Sequence, residues 1–576
     1  MSMLGGVFGR GSHLLSRWVR RDRVYGDPPR SFDGHPRRPI RVGAILDEFS
    51  WACFAPEVEL VALDPRRWQR QLDDGIDLLL VESAWSGNGG LWRYEVAYYG
   101  DGERRQLPLV LAHAARSGIP AVFWNKEDPP NFDLFAPAAR EFTNILTTAS
   151  ECIPRYQLLR PGSKVQVLPF AAQSLLHHPD GRADECPGRV CFAGSWRGAK
   201  YAGRADDLQM LLGAPLAMGV LDIFDRNAGG EEGLAFPEPF VSAVRGALPY
   251  DRMVDAYRAY DAFLNVNSTD ASPTMLSRRV FEILACGTPV VSTPSAAIEE
   301  FFGDLVVTVS DAAAAREAIS ELLADPEARR RRGHLGYRHV HTHHTYRHRM
   351  DSILALADID PPSQATPTVV AFGIARTRRE FDSLRRSIDR QQRPPSQLVV
   401  LVPGDSADLA AIAERIGTHP GCSLEVTPRD VTEVEGLRIV EERTAGAYIA
   451  ALHPAHGYGP HYLGDALLAF EFCRTAVVGK NAHYFLEGAQ LRLNPGPRFM
   501  GTQTIVEGTA VVEVASWRQS MAGGTPPPGS IGDAATSLGI TPYAIDPYGF
   551  VRFGSGSVDD ASRTDLASEI GSRVFV

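Results

Sequence analysis

The stretch from Asp261 to Thr293, DAFLNVNSTDASPTMLSRRVFEILACGTPVVST, constrains the fold of this chain more than any other. Residues 262–266 form a short apolar run bounded by turn residues, the pattern of a buried parallel strand. A loop of Asn, Ser, Thr and Asp follows. Ser272 is the expected N-cap of a helix, with Pro273 at its first position. Gly287 supplies a C-terminal stop, and Val290 and Val291 open the next strand. A helix leaving the carboxyl edge of a parallel sheet presents free N–H groups and a positive dipole end, which favour phosphate. Arg278 and Glu282 stand four apart on one helix face. They read either as an ion pair on a solvated face or as a cation and a carboxylate turned to a ribose phosphate.

Composition narrows the classes. The chain has 576 residues, 44% hydrophobic and 22% charged, enough for about three or four globular domains. Its formal net charge of −10 gives no basic excess for nucleic acid. Seven cysteines are scattered without a C-x-x-C pair, the usage of reduced thiols in a cytoplasm rather than of disulfides or zinc. No apolar run reaches the roughly 20 residues of a membrane span, and no secretory leader is evident.

Residues 1–40 alternate Leu, Val, Phe and Trp with Arg, the pattern of a basic amphipathic helix. Such an arm docks on a domain, stays disordered, as the frequent Gly and Pro from Gly26 to Pro39 allow, or lies on an anionic membrane surface. From residue 41, strands and helices alternate. RVGAILDEFS, IDLLLVES, IPAVFWN, NILTTA and KVQVLPFA are expected strands, with helices at 109–117 and 137–142. This predicts a parallel sheet whose chemistry gathers at the strand ends. Those ends carry Asp47; Glu82 before a loop with Gly89 and Gly90; and Asn125, Lys126, Glu127 and Asp128. Each carboxylate is a candidate cleft group, with a helix cap or surface ion pair as the alternative. No GxGxxG turn is present, against a dinucleotide domain. A boundary near residue 180 precedes a second α/β unit. Arg197, Lys200 and Arg204 follow its first strand, where a diphosphate would sit unless they form a solvated loop. Residues 304–310 are a further expected strand, and 312–348 are mostly helical. A linker at 358–366 leads to a third α/β domain over 367–556, and 557–576 form a polar tail.

RRVFEILACGTPVVST resembles the donor-binding signature of family 4-like glycosyltransferases of the GT-B fold, and most of all their spore-maturation, CgeB-like branch. VESAWSGNGGLWRYE and FWNKEDPPNF are similar to the amino-terminal half of that branch. The resemblance implies two Rossmann-like domains, 41–180 on the acceptor side and 181–357 on the donor side, with Glu282 on a ribose. It implies that Arg197, Lys200, Arg204 and Arg278, with the backbone at Thr274 and Met275, take up a diphosphate, so that no metal is needed. The family has a second Glu at the position Thr274 occupies here, which leaves sugar and stereochemistry open. If configuration is retained, as in family-4 relatives, no base is needed and the leaving phosphate takes the acceptor's proton; if it is inverted, Asp47, Glu82, Glu127 and Asp128 are the candidate catalytic bases.

TPTVVAFGIART and AGAYIAALHPAHGYGPHYLGDAL resemble GT-A type, family 2-like transferases. The acidic metal motif is replaced by HPAHGYG, with His453 and His456, which poorly suit Mg²⁺ or Mn²⁺. The third domain is therefore expected to be degenerate, with a divalent metal required only if it is active. The implied partners are a nucleotide-sugar and a glycan, protein or small-molecule acceptor, in the cytoplasm or at the membrane periphery. The alternative is a non-catalytic scaffold or glycan-binding protein.

Overall fold

The computed structural model describes residues 37–97, 105–181, 186–196, 202–228, 235–360, 367–488, 490–521, 526–554, 571 and 573–576. The expected basic helix of the N-terminal arm lies outside the described residues, as do Arg197 and Lys200. Ser31–Ser363 form one compact unit and Gln364–Val576 belong to another.

The first unit has two parallel sheets. In its first lobe β1 (Arg38–Ile45), β2 (Val58–Ala62), β3 (Leu78–Glu82), β4 (Ala121–Asn125), β5 (Asn144–Thr147) and β6 (Lys164–Val167) lie in the order β2-β1-β3-β4-β5-β6. All neighbours are parallel. β3 is buried along its whole length, which explains its uninterrupted LLLVE pattern. The chain lays β2 on one side of β1 and β3 on the other, so the strand order reverses between β1 and β3. The second lobe repeats the scheme with β7 (Cys186–Gly194), β8 (Leu221–Asp225), β9 (Tyr260–Asn265), β10 (Val290–Ser292) and β11 (Val307–Thr308), ordered β8-β7-β9-β10-β11. Its reversal falls between β7 and β9. In open parallel sheets ligands bind outside the carboxyl ends of strands at such reversals. Each lobe has one such reversal.

Several expectations are corrected. The helix expected at 137–142 spans Phe132–Ala139 with Pro137 inside it, because Phe132 and Phe135 draw the earlier turn onto the core. The strand expected at 304–310 is only Val307–Thr308, since Gly303–Leu305 form a tight helical turn. The helix Tyr346–Leu356 follows the second lobe in sequence but packs Tyr346, Met350, Ile353 and Leu354 against Val42, Leu80 and Trp124 of the first. The final residues are not simply a polar tail. Val574 is fully buried among Tyr484, Leu486, Tyr548 and Val551.

The helix Pro326–His343 crosses directly over the Gly287 turn. A Cβ on Gly333 would lie 2.1 Å from the Gly287 carbonyl oxygen. Elsewhere in a helix Gly→Ala gains about 1 kcal/mol. Here backbone meets backbone and overpacking dominates, so Gly333→Ala is expected to cost about 3 kcal/mol, read as a lowered urea midpoint.

In the second unit β12 (Val369–Ile374), β13 (Gln397–Pro403), β14 (Cys422–Thr427), β15 (Tyr448–Leu452), β16 (Val477–Gly479), β17 (Met500–Gly501), β18 (Val511–Glu513) and β19 (Tyr543–Ala544) form one sheet, β14-β13-β12-β15-β18-β16-β19-β17. The first four strands are parallel, and β18 runs antiparallel to both its neighbours.

Candidate functional site

At the reversal in the first lobe three strand ends place their side chains together. Asp47, just past β1, caps the helix Glu48–Phe54 by accepting the Ser50 N–H at 2.8 Å through Oδ1. Its Oδ2 accepts from the Lys126 ammonium, which leaves the end of β4. The same ammonium lies 3.0 Å from Glu82 Oε1 and 3.1 Å from Ser50 Oγ. Glu82 closes β3, is fully buried, and accepts the Asp47 N–H as well. One cation thus serves two carboxylates in a nearly dry site. Burial pushes Glu82 up to about 7, with Asp47 adding to the rise and Lys126 opposing it. For Asp47 burial works in the same upward direction, but Lys126, the Ser50 N–H and Arg278 outweigh it and hold the carboxyl below its ordinary value. Burial also disfavours the Lys126 charge, and Glu82 and Asp47 overcome it and raise the ammonium.

The Glu82 shift fixes a pH slope. Between its ordinary value of 4.5 and about 7 the folded chain holds a proton that the unfolded chain has released. Stability from this group is therefore present below 4.5 and lost as pH rises through 7. Glu82→Gln is expected to flatten the stability difference between about pH 5 and about pH 8, measured by urea denaturation at the two pH values.

The neighbouring residues are organised separately. Asn125 Nδ2 donates to Asp128 Oδ1 at 2.8 Å and to the Tyr156 oxygen at 2.7 Å. Asp128 also accepts from Thr147 at 2.6 Å and Tyr156 at 2.8 Å and is fully buried; burial pushes it up to about 6. Glu127, half-buried, accepts from Asn131 at 2.7 Å. These contacts fix the loop after β4. Gly89 and Gly90 lie in a tight turn with φ of 66° and 97°. That turn is pinned by Asn88, whose side-chain amide donates to the Ala44 and Leu63 carbonyls and whose oxygen accepts the Leu46 N–H. Sequence reasoning passed over Asn88.

In the second lobe the helix starts later than the sequence predicts. It spans Arg278–Ala285 with Ser277 as its cap residue, not Ser272 and Pro273. Thr274 is the reason: its hydroxyl donates to the Thr148 carbonyl at 2.9 Å and accepts the Ser150 N–H at 2.8 Å, both in the first lobe. The Met275 N–H is taken by Ser272 Oγ at 3.1 Å. Residues 272–277 therefore strap one lobe to the other. Arg204 donates to the Val266 carbonyl at 3.0 Å, Ser268 Oγ at 3.1 Å and the Ser195 carbonyl at 3.5 Å. It thus spans the ends of β7 and β9 at the reversal.

Glu282 is fully enclosed. Its Oε1 takes Arg278 Nε at 2.7 Å and the Tyr250 hydroxyl at 2.9 Å, and its Oε2 takes the Tyr257 hydroxyl at 3.1 Å. Burial would raise the carboxyl, but Arg278 first, then His177 and the two tyrosines, bring it below its ordinary value. His177, fully buried, is pushed down to about 4 by burial and is neutral at neutral pH. Its Nδ1 accepts the Gln173 N–H at 2.9 Å, so the proton sits on Nε2, 2.9 Å from the Tyr250 oxygen. His177, Tyr250 and Tyr257 carry no motif, and sequence reasoning missed all three.

Arg278 links the two lobes. Its guanidinium lies 4.1 Å over the Phe49 ring and 5.1 Å from the Tyr250 ring, and the two rings meet edge-on at 4.8 Å. Its side chain keeps 21% of its surface open. A single charged array therefore runs Glu82, Lys126, Asp47, Arg278, Glu282 across the carboxyl ends of two sheets.

Residues 220–355, which carry Tyr250, Tyr257, Arg278 and Glu282, match the family model described as glycosyl transferase-like. A search of curated proteins returns no match. Among solved structures, the mannosyltransferase PcManGT from Pyrobaculum calidifontis in complex with GDP-Man and Mn2+ aligns at 13% identity and a TM-score of 0.27, over 38% of this chain and 65% of that one. S. aureus TarS 1-349 in complex with UDP-GlcNAc aligns at 12% identity and 0.27, over 36% of this chain and 66% of that one. The chain spans just under two thirds of the length of either structure. Its α/β fold of several Rossmann-like sheets is consistent with GT-B-type architecture.

Proposed function

We propose that this chain is a glycosyltransferase that moves a sugar from a nucleoside diphosphate donor to an acceptor, with the donor on the second lobe and the acceptor on the first. The observation that carries this reading is the charged array across two strand-order reversals, two of its five residues, Arg278 and Glu282, lying inside the glycosyl transferase-like segment. Arg278 is the partly open cation at the helix start, placed to take up charge on the leaving diphosphate. Arg204 stiffens the loop beside it. Arg197 and Lys200, outside the described residues, keep the phosphate-binding role assigned to them by resemblance, and no metal is required. Glu282 holds Arg278 from behind; it takes a ribose hydroxyl when Tyr250 gives up its place on Oε1. Thr274 and Met275 serve as the strap between lobes rather than as phosphate ligands.

On the acceptor side Asp47 is the carboxylate of the array with open surface, at 33% of its side chain. If the reaction inverts, Asp47 is the acceptor's base. Glu82, fully buried behind Lys126, holds that ammonium against Asp47. Glu127 keeps a place in the crevice, and Asp128 supports its loop. The CgeB-like kinship and the degenerate GT-A-like character of the second unit belong to the same proposal; four parallel strands followed by an antiparallel one support the latter. All seven cysteines are free thiols, which supports a cytoplasmic location. Among the described residues no helix is long and apolar enough to cross a membrane.

The complete occupation of Glu282 by protein partners favours one alternative, a transferase-like scaffold or glycan-binding protein. Calorimetry with a panel of nucleoside diphosphates separates the two. The enzyme reading expects micromolar binding of one nucleotide, weakened at least about tenfold by Arg278→Lys, which keeps the charge and loses the fork. No binding of any nucleotide leaves the scaffold.

A further inference from the structure

A cavity of about 460 Å³ opens in the second unit at the carboxyl ends of β12 and β15. That volume lies in the range of about 300–1,000 Å³ usual for small-molecule sites. Phe372, Ile374, Val431 and Leu452 give it apolar walls, and Arg376, Arg379, Glu380, Asp430, His453 and Glu507 give it polar ones. Two helices, Arg378–Asp389 and Glu433–Arg443, begin at this cavity. Helix starts of this kind usually attract phosphate.

Here the chain's own acids have taken that place. Glu380 Oε2 accepts the Arg376 and Thr377 N–H groups at 2.6 and 3.1 Å. The Arg378 N–H goes to Asp408 at 2.8 Å and the Glu380 N–H to Thr377 at 3.2 Å. Glu433, lining the same cavity, accepts the Gly508 and Ile531 N–H groups at 2.7 Å each. Arg376 is neutralised by Asp430. Two guanidinium groups thus face four carboxyl groups, and burial lifts Glu433 to about 7 without removing the negative balance. A bare diphosphate is repelled by such a lining.

The histidines do not reverse this. His453 Nδ1 accepts the Ala455 N–H at 3.2 Å, so its remaining ring nitrogen is a donor rather than a metal ligand. The His456 ring lies 4.6 Å from it and is pushed down to about 3 by burial. Gly508 holds the opposite wall close: a Cβ there would stand 2.5 Å from His453 Cβ, at a φ of +76°. What stands at the cavity beside these engaged acids is Glu507 as an acceptor and the His453 ring as a donor, over an apolar floor. Hydroxyl groups can answer both kinds at once, and C–H faces can rest on the floor.

We propose that this cavity binds uncharged sugar residues of a glycan, without nucleotide or metal. The inference stands whether or not the first unit transfers a sugar, because the probe used to test it carries no nucleotide. Methyl glycosides of glucose, galactose, mannose and N-acetylglucosamine are offered to the full chain at millimolar concentration in the presence of EDTA, and binding is read by saturation-transfer NMR. Hydrogen exchange with the same glycoside then locates it. The expected result is binding of at least one glycoside, protection of amides at 372–380 and 451–456, and at least about tenfold weaker binding in folded Glu507→Gln and His453→Phe. Failure of all four glycosides to bind overturns the proposal. So does binding at wild-type strength in both variants, or protection of these amides by UDP with Mn²⁺ in place of a glycoside.

Discussion

Lys126→Met is expected to destabilise the first unit by about 3–5 kcal/mol near pH 8, the cost of leaving buried charge without its partner. The Lys126 ammonium answers two carboxylates, and its own side chain is only 10% exposed. Without it, Asp47 and Glu82 face each other with no cation between them. The cheapest response is for Glu82 to keep its proton, so the loss is smaller near pH 5 and grows as pH rises. The double variant Lys126→Met with Glu82→Gln recovers most of the stability, since the amide still accepts the Asp47 N–H. Urea denaturation of the four proteins of this cycle at two pH values gives the coupling directly. A single variant as stable as wild type at pH 8 would mean that water already screens the group.

Arg278→Met is expected to have the second large effect, on stability and on ligand together. It strips the nearest cation from a fully enclosed Glu282 and costs about 3–5 kcal/mol near neutral pH. His177, whose ring nitrogen stands 3.7 Å from that carboxylate, is the obvious substitute. In the variant it gains a proton on acidification, so the loss shrinks towards pH 5. Glu282→Gln in the same chain removes the uncompensated charge and restores stability, while nucleotide binding stays absent. That split separates a fold-supporting ion pair from a donor site, because a purely structural pair would leave no ligand to lose.

Much of this was legible beforehand, for identifiable reasons. The stop at Gly287 and the Arg278–Glu282 pair are local, fixed by positive φ and by the helical period, and both occur as the spacing predicts. Asp47, Glu82 and Lys126 were legible as strand ends, because alternating strands and helices place such ends on one edge. Their pairing was not, since which ends adjoin depends on where strand order reverses. The helix start was misread because Ser272 and Pro273 make a good local cap, while Thr274 is held by Thr148 and Ser150 more than a hundred residues away. His177, Tyr250 and Tyr257 were invisible for the same reason. A tyrosine that satisfies a buried carboxylate from another helix leaves no local pattern. The closing Val574 was hidden by the polar composition around it.

Release of nucleoside diphosphate from a panel of nucleotide-sugars, without acceptor, tests most directly whether a diphosphate is gripped beside Arg278. The prediction is slow hydrolysis of one donor by the wild-type chain, insensitive to EDTA and reduced at least about tenfold by Arg278→Lys. Hydrolysis of no donor by the wild type, or an undiminished rate in the variant, contradicts it.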